Sequence, residues 1–178
     1  GVVKNTGRLE ATGFVSDGGK IRLSASSAIV NSGKILANAA SGSSGKGGVV
    51  KLETPTSDAN PAAKVTNTGF IDASSEIGAG GQISVQSALI ALKIGSLLKA
   101  VGGSAGGEVL IGGGWQGSGD IQHATNVLLE QGATIDASAI RNGNGGTVVL
   151  WSDVANSNSL TTAFGSIYAM GGALGGDG

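Results

Sequence analysis

Cysteine is absent from this chain of 178 residues, and aromatic residues make up only 3% of it. Without cysteine, the chain has no disulfide framework and no thiolate metal site. Charged residues account for 13% of the sequence, against about a quarter in an average globular domain. The net charge of -1 argues against nucleic acid or an anionic membrane as the main partner. No apolar run reaches the roughly 18 residues of a membrane helix, so we expect no membrane insertion.

Glycine is the most abundant residue, with 34 copies, and 40% of the chain is hydrophobic. Collagen is excluded because glycine does not recur at every third position. A glycine-rich chain can be a disordered linker, but here the Val, Ile and Leu residues fall in patterned runs. The composition therefore favours a folded chain whose surface is covered mainly by small polar residues.

Pairs of glycines recur along the chain, and the first five are each followed by alternating apolar residues. The pairs begin at Gly18, Gly47, Gly80, Gly106 and Gly145, and a sixth, at Gly175, is expected to open a shortened copy. The starts of successive pairs are 26 to 39 residues apart, a period typical of solenoids, propellers or arrays. Alternation indicates strands with one buried face. The predicted inward residues are Ile21, Leu23, Val50, Leu52, Ile83, Val85, Val109, Ile111, Val148 and Leu150.

A second motif, a glycine followed by a short apolar strand and an alanine, precedes each glycine pair. Its copies are residues 7–11, 33–37, 69–73, 95–100, 132–137 and 165–169. Asn5, Asn31 and Asn67 precede the first three copies, and Asn-x-Gly predicts a sharp corner because both residues tolerate positive φ. Stacked copies would place these asparagines in a side-chain ladder. Asp72 and Asp136 share one repeat position, where we expect each to bond the next corner.

No single copy offers enough apolar surface to offset the entropy lost on ordering it, so the copies are expected to stack. The sequence predicts an all-β, right-handed parallel β-helix of about six to eight coils, roughly 30 to 40 Å long at a strand spacing of about 4.8 Å. A β-propeller is the main rival, but Trp115 and Trp151 do not recur at the spacing of blades. Residues 1–178 are interpreted as a single segment excised from a longer polypeptide.

Three segments break the repeat: residues 53–63, 112–125 and 151–162. Insertions project from the surface of a solenoid and often carry binding. The candidate ligand-contact residues are accordingly Trp115, Gln116, Asp120, His123, Trp151 and Asp153. We expect the tryptophans to cap the end of a coil or to form a platform for stacking sugars.

No catalytic, cofactor-binding or metal-binding residue is predicted. The chain has one histidine, so a nucleophile-histidine constellation would depend on His123 alone. Residues 112–117 formally fit the dinucleotide-binding glycine pattern, but no convincing helix follows them. No cofactor is therefore expected.

The sequence resembles the large exoproteins of two-partner secretion systems, the filamentous-haemagglutinin-like adhesins of Gram-negative bacteria. The resemblance lies in an ordered set of motifs: G-G-G-W-Q-G at 112–117, A-T-I-D-A-S at 133–138, N-G-G-T-V-V-L-W-S-D at 144–153 and F-G-S-I-Y-A at 164–169. It implies a secreted, cell-surface β-helical fibre exported by an outer-membrane transporter partner. It also implies attachment to a host-cell receptor or carbohydrate, to biofilm matrix or to other bacteria, with a role in virulence.

Three functional hypotheses follow. The first is a non-enzymatic structural and adhesive segment. The second is a β-helical enzyme acting on polysaccharide, with Asp72, Asp120 and Asp136 as the carboxylates to test. The third is a stalk that displays a toxin or haem-capture module encoded elsewhere.

Overall fold

The computed structural model describes residues 1–13, 16–55 and 58–178, and the strands of this part of the chain form three parallel sheets. Sheet A contains β1 (Val2–Asn5), β4 (Ala28–Asn31), β7 (Lys64–Asn67), β10 (Leu89–Leu92), β13 (Asn126–Leu129) and β16 (Leu160–Ala163). Sheet B contains β2 (Arg8–Glu10), β5 (Lys34–Leu36), β8 (Phe70–Asp72), β11 (Leu97–Lys99), β14 (Thr134–Asp136) and β17 (Ser166–Tyr168). Sheet C contains β3 (Lys20–Ser24), β6 (Val49–Glu53), β9 (Gln82–Gln86), β12 (Glu108–Ile111) and β15 (Thr147–Leu150).

Each strand pairs in parallel with the strand three places later in the chain, so the backbone winds through sheets A, B and C in turn. This is a parallel β-helix, as the repeats predict. Sheets A and B have six strands each and sheet C has five, which gives six coils. Five steps of about 4.8 Å make the stack about 24 Å long. That is shorter than the expected length, because the coil number falls at the lower end of its expected range.

The predicted inward residues of sheet C stack in two in-register columns. Val50 pairs with Ile21 below and Ile83 above, and the column continues through Val109 to Val148. The second column contains Leu23, Leu52, Val85, Ile111 and Leu150 in the same way. Members of both columns in the three middle coils are fully buried, and those in the end coils pack partly exposed against this core. The alternation in the sequence therefore identified the core face of sheet C.

Each glycine pair closes the loop that precedes it. The second glycine donates its backbone N–H to the carbonyl of the alanine that ends the sheet B strand of the same coil, as Gly48 does to Ala37 at 2.7 Å. The same bond joins Gly19 to Ala11, Gly81 to Ala73, Gly107 to Ala100 and Gly146 to Ala137, at 2.6 to 2.8 Å. Because this clasp joins the two ends of the loop, loops of different length leave the coils in register.

The clasp also explains why these positions are glycine. A Cβ atom on Gly47 would lie 1.9 Å from the carbonyl oxygen of Ala73, in the coil above. Gly80 and Gly106 meet the corresponding alanine carbonyls at 2.0 and 1.9 Å. No real Cβ contact is that short, so a side chain here would push adjacent coils apart.

The sixth glycine pair was assigned wrongly. The N–H of Gly145 donates to the carbonyl of Asp177, as the N–H of Gly106 donates to the carbonyl of Asn144. The residue that follows Asp177 therefore takes the first clasp position, and this residue is Gly178. Gly175 and Gly176 instead lie in a turn, where both have positive φ.

The predicted asparagine ladder is present at the corner between sheets A and B. The side-chain amide of Asn5 donates to Asn31 Oδ1 at 2.8 Å, and that of Asn31 donates to Asn67 Oδ1 at 2.6 Å. Asn67 in turn donates to the hydroxyl of Ser96 at 2.6 Å, so the ladder spans four coils. All three asparagines are buried, and each amide satisfies its neighbour inside the solenoid.

Candidate functional site

The three segments that interrupt the repeat leave the solenoid at the same corner. Each follows a strand of sheet C and returns to sheet A: residues 54–63 after β6, 112–125 after β12 and 151–159 after β15. Since the strands of sheet C stack in register, their C-terminal ends lie above one another, and the loops emerge side by side. We call these three segments the loop cluster. The third loop is shorter than predicted because β16 begins at Leu160, and residues 56 and 57 of the first lie outside the described residues.

Hydrogen bonds brace the loop cluster across coils. The side-chain amide of Gln122, in the fourth coil, donates to the carbonyl of Pro55, in the second, at 2.9 Å. The third coil does not obstruct this contact because only residues 87 and 88 separate β9 from β10. Under the bridge, the hydroxyl of Thr54 donates to that of Ser87 at 2.7 Å, and both residues are buried. The first and second loops are therefore fixed relative to each other.

Trp151 holds the second and third loops together. A Cβ atom on Gly113 would lie 2.6 Å from Trp151 Cδ1, and one on Gly117 would lie 3.0 Å from Cζ2. The indole ring also faces the imidazole of His123, with 6.3 Å between ring centroids. The glycines of residues 112–117 thus admit the indole against the backbone, and a short 3₁₀ turn, Trp115–Gly117, follows in place of a dinucleotide-binding helix. Trp151 accordingly neither caps a coil end nor presents an open platform.

A cleft of about 620 Å³ opens between the loops. Its walls are formed by the ends of β6 and β9 and by all three loops: Glu53, Thr54, Pro55, Asp58, Gln86, Gly117, Gly119, Asp120, Ile121, Gln122, His123 and Asp153. Within the described part of the chain, neither lysine nor arginine contributes to this lining. The cleft therefore presents hydrogen-bond acceptors and a local excess of negative charge.

Glu53 is the one lining carboxylate that is neutralised. Its Oε2 lies 2.7 Å from Lys51 Nζ, and its Oε1 is bonded by Arg22. Burial among neighbouring side chains raises the pKa of Glu53, but the hydrogen bonds from Lys51 and Arg22 outweigh that effect, and the pKa is lowered from its ordinary value. Both cations lie on the outer face of sheet C, so Glu53 joins the cleft to that face.

The predicted ligand-contact residues are partly brought together. Asp120, His123 and Asp153 line the cleft, with His123 Nδ1 at 3.9 Å from Asp153 Oδ1 and His123 Nε2 at 3.1 Å from the carbonyl oxygen of Gly117. Trp115 is 62% exposed on the loop that forms one wall. Gln116, also exposed, has a φ of 52° in the same turn.

Sequence reasoning missed Asp58, Gln86 and Gln122 as cleft residues. Gln86 faces outward by strand parity, yet it is buried beside the cleft. The available signal was positional. Each interruption follows an apolar run that opens with a glycine pair, so all three leave at the same point of the coil.

The carboxylates named for the enzymatic alternative do not assemble. Asp72 and Asp136 lie on the outer face of sheet B, in one column with Lys99 between them. Each accepts the backbone N–H of the serine two residues later, at 3.0 Å. This confirms the predicted corner role of both residues and leaves Asp120 as the only one of the three in the cleft. The described residues contain no group of three or more side chains suited to hold a metal ion.

Comparisons with known proteins locate the fold. No family model matches the chain, and no curated protein matches it. Among solved structures, the chain is similar to the HMW1 secretion domain from Haemophilus influenzae, with a TM-score of 0.65 and 24% sequence identity. The match covers 94% of this chain and 49% of that structure, so the chain spans about half the length of the solved domain. Over the described residues, no helix is long and apolar enough to cross a membrane.

Proposed function

We propose that the chain is a structural and adhesive segment of a secreted bacterial surface protein. The observation that carries the proposal is the in-register ladder of three parallel sheets, closed at each turn by a glycine clasp. Such a stack projects loops from a rigid body without a separate scaffold for each loop. In this role the solenoid provides length and the loop cluster provides contact.

The likeness in fold to the HMW1 secretion domain supports the secreted location. We infer that the protein is exported with an outer-membrane transporter partner, and that it acts outside a Gram-negative cell in the manner of the filamentous-haemagglutinin-like adhesins. The lack of cysteine fits such a route, because a chain without thiols crosses an oxidising compartment without forming disulfides.

Attachment is tested with beads coated with the chain. Beads are counted on cultured epithelial cells, on biofilm matrix and on bacteria, with albumin-coated beads as the control. We expect attachment to at least one of these surfaces at several times the albumin background. Attachment equal to that of albumin on all three would contradict the adhesive role.

The enzymatic alternative is favoured by one observation, the carboxylates of Asp58, Asp120 and Asp153 around the cleft. It is tested by incubating the chain with neutral and acidic polysaccharides and measuring the release of reducing ends. We expect no release above that of the heat-denatured chain. Release that disappears in Asp120→Asn would replace the structural and adhesive proposal with an enzymatic one.

A further inference from the structure

We propose that the cleft of the loop cluster binds a neutral glycan chain, through hydroxyl groups that donate to its carboxylates and a sugar face that packs on Trp115. The inference rests on the proposed adhesive function and specifies both its site and its class of ligand. It is carried by four features of the cleft: its charge, its apolar surface, its rigidity and its size.

The charge of the cleft selects against acidic ligands. Asp58, Asp120 and Asp153 all line it, and no lysine or arginine does so in the described ranges. Neither Asp58 nor Asp120 forms an ion pair with another described residue. Phosphates, sulfates and uronates would therefore meet uncompensated negative charge. Neutral hydroxyl groups, by contrast, can donate to these oxygens in charge-assisted hydrogen bonds.

The apolar surface suits the C–H face of a sugar ring. Trp115 is 62% exposed, the most exposed aromatic side chain apart from Phe164. It lies two residues before Gly117, at the end of a tight turn closed by a bond from the N–H of Ser118 to the Trp115 carbonyl at 2.9 Å. Pro55 and Ile121 add apolar surface inside the cleft. Binding sites for small ligands combine such surface with a few placed polar groups.

The loops are fixed before any ligand binds. The bond from Gln122 to Pro55, at 2.9 Å, joins the first and second loops, and the Trp151 indole against Gly113 and Gly117 joins the second and third. A preorganised site loses less conformational entropy on binding than a mobile one. The cleft volume of about 620 Å³ also lies within the usual range of ligand sites, about 300 to 1,000 Å³.

The test uses three kinds of probe on the whole chain. Cellotetraose and chitotetraose are the neutral probes, a heparin tetrasaccharide is the anionic probe and a lysine-rich peptide is the cationic probe. Binding is measured by titration calorimetry and by tryptophan fluorescence. We expect at least one neutral tetrasaccharide to bind and to change the fluorescence. Three outcomes overturn the inference: no neutral probe binds at about 10 mM, the heparin fragment binds more tightly, or only the peptide binds.

Variants locate the site. Trp115→Ala and Asp120→Asn should each weaken the neutral probe by about tenfold, as expected for a central aromatic anchor or a charge-assisted bond. Glu10→Gln is the matched control, because it removes one carboxylate from the outer face of sheet B, away from the cleft. Thermal unfolding of each variant must match that of the parent chain. Equal weakening in all three variants, or in none, would overturn the assignment of the site.

The inference and the proposed function fail separately. If coated beads attach to cells but the neutral probes do not bind, the cleft is not the contact site and the adhesive role stands. If the probes bind through Trp115 but the beads attach nowhere, the binding site stands and the adhesive role is wrong.

Discussion

Replacing Gly33 with alanine should destabilise the solenoid, whereas the same change at Gly7 should not. The two glycines occupy the same corner position of successive coils. An alanine Cβ at Gly33 would lie 2.1 Å from the carbonyl oxygen of Gly7, in the coil below. At Gly7, in the first coil, a Cβ meets nothing within 4 Å. Neither residue has a positive φ, so the comparison isolates the contact between coils.

The magnitude follows from the distance that must be recovered. Relieving the contact requires a shift of about 1 Å, since nonbonded heavy atoms rest at about 3 Å or more. The N–H of Lys34 donates to that same Gly7 carbonyl at 2.7 Å, and such a shift takes this bond beyond the normal limit. A lost hydrogen bond of about 1 kcal/mol and overpacking of about 1 to 3 kcal/mol together give about 2 to 4 kcal/mol. Gly7→Ala should lie within about 0.5 kcal/mol of the parent or be slightly stabilising.

Thermal unfolding followed by circular dichroism measures the difference. For a chain of this size, about 3 kcal/mol corresponds to a drop in Tm of about 6 to 12 °C. We expect that drop for Gly33→Ala and a change of no more than about 2 °C for Gly7→Ala. Equal Tm values for the two variants would refute the argument that stacking excludes a side chain at these corners. Urea denaturation on the same samples checks that the m-value, and thus the surface exposed on unfolding, is unchanged.

Three further predictions concern other parts of the chain. Asn31→Ala should lower the free energy of unfolding by about 2 to 4 kcal/mol in urea denaturation, because it leaves both ladder neighbours with unpaired buried groups, and a change below about 0.5 kcal/mol would contradict the ladder's role. The lowered pKa of Glu53 contributes stability that is present above the pKa of the unfolded chain, about 4.3, and is lost as the pH falls through the lower folded pKa. The Tm of the parent should therefore exceed that of Glu53→Gln at pH 7, by the equivalent of about 1 kcal/mol or less, and the two should converge below about pH 4; a gap unchanged at pH 3 would contradict the ion pair. Trp151→Phe should be nearly neutral, because the buried indole N–H has no partner among the described residues, whereas Trp151→Ala should speed hydrogen exchange in residues 112–125 and leave exchange in the sheets unchanged; equal exchange in the two variants would show that the indole does not hold the loop.

The architecture was predictable because a solenoid repeats its local rules. Alternation after each glycine pair identified the strands of sheet C, and Asn-x-Gly marked the corners of the asparagine ladder. The stretch from residue 88 to 99, helical in composition but interrupted by Gly95, was predicted to form two short strands around a corner, and it contains β10 and β11. In each case the signal lies within a few residues of the structure that it determines.

Features that depend on neighbouring coils were not predictable in this way. Residues 160–163 (L-T-T-A) are too polar to indicate a strand, yet they form β16 because β13 provides a ladder for them. The pair at Gly175 satisfies the same letter pattern as a clasp glycine, but the backbone bond of Gly145 places Gly178 in that role. The cleft depends on Gln122 reaching Pro55, two coils away. Its lining could be recognised only after the loops were placed at one corner.

The ladder bonds of all three sheets run along the axis of the stack, and this direction determines how the protein responds to mechanical load. A bacterium held by one end of such a segment in flowing liquid would pull on those bonds directly, so the coils should separate one at a time. Each coil contains 26 to 39 residues, and an extended chain spans about 3.4 Å per residue, so each released coil would lengthen the tether by about 90 to 130 Å. A stack that is stiff at rest would thus yield stepwise under tension and limit the peak force on whatever its loops hold.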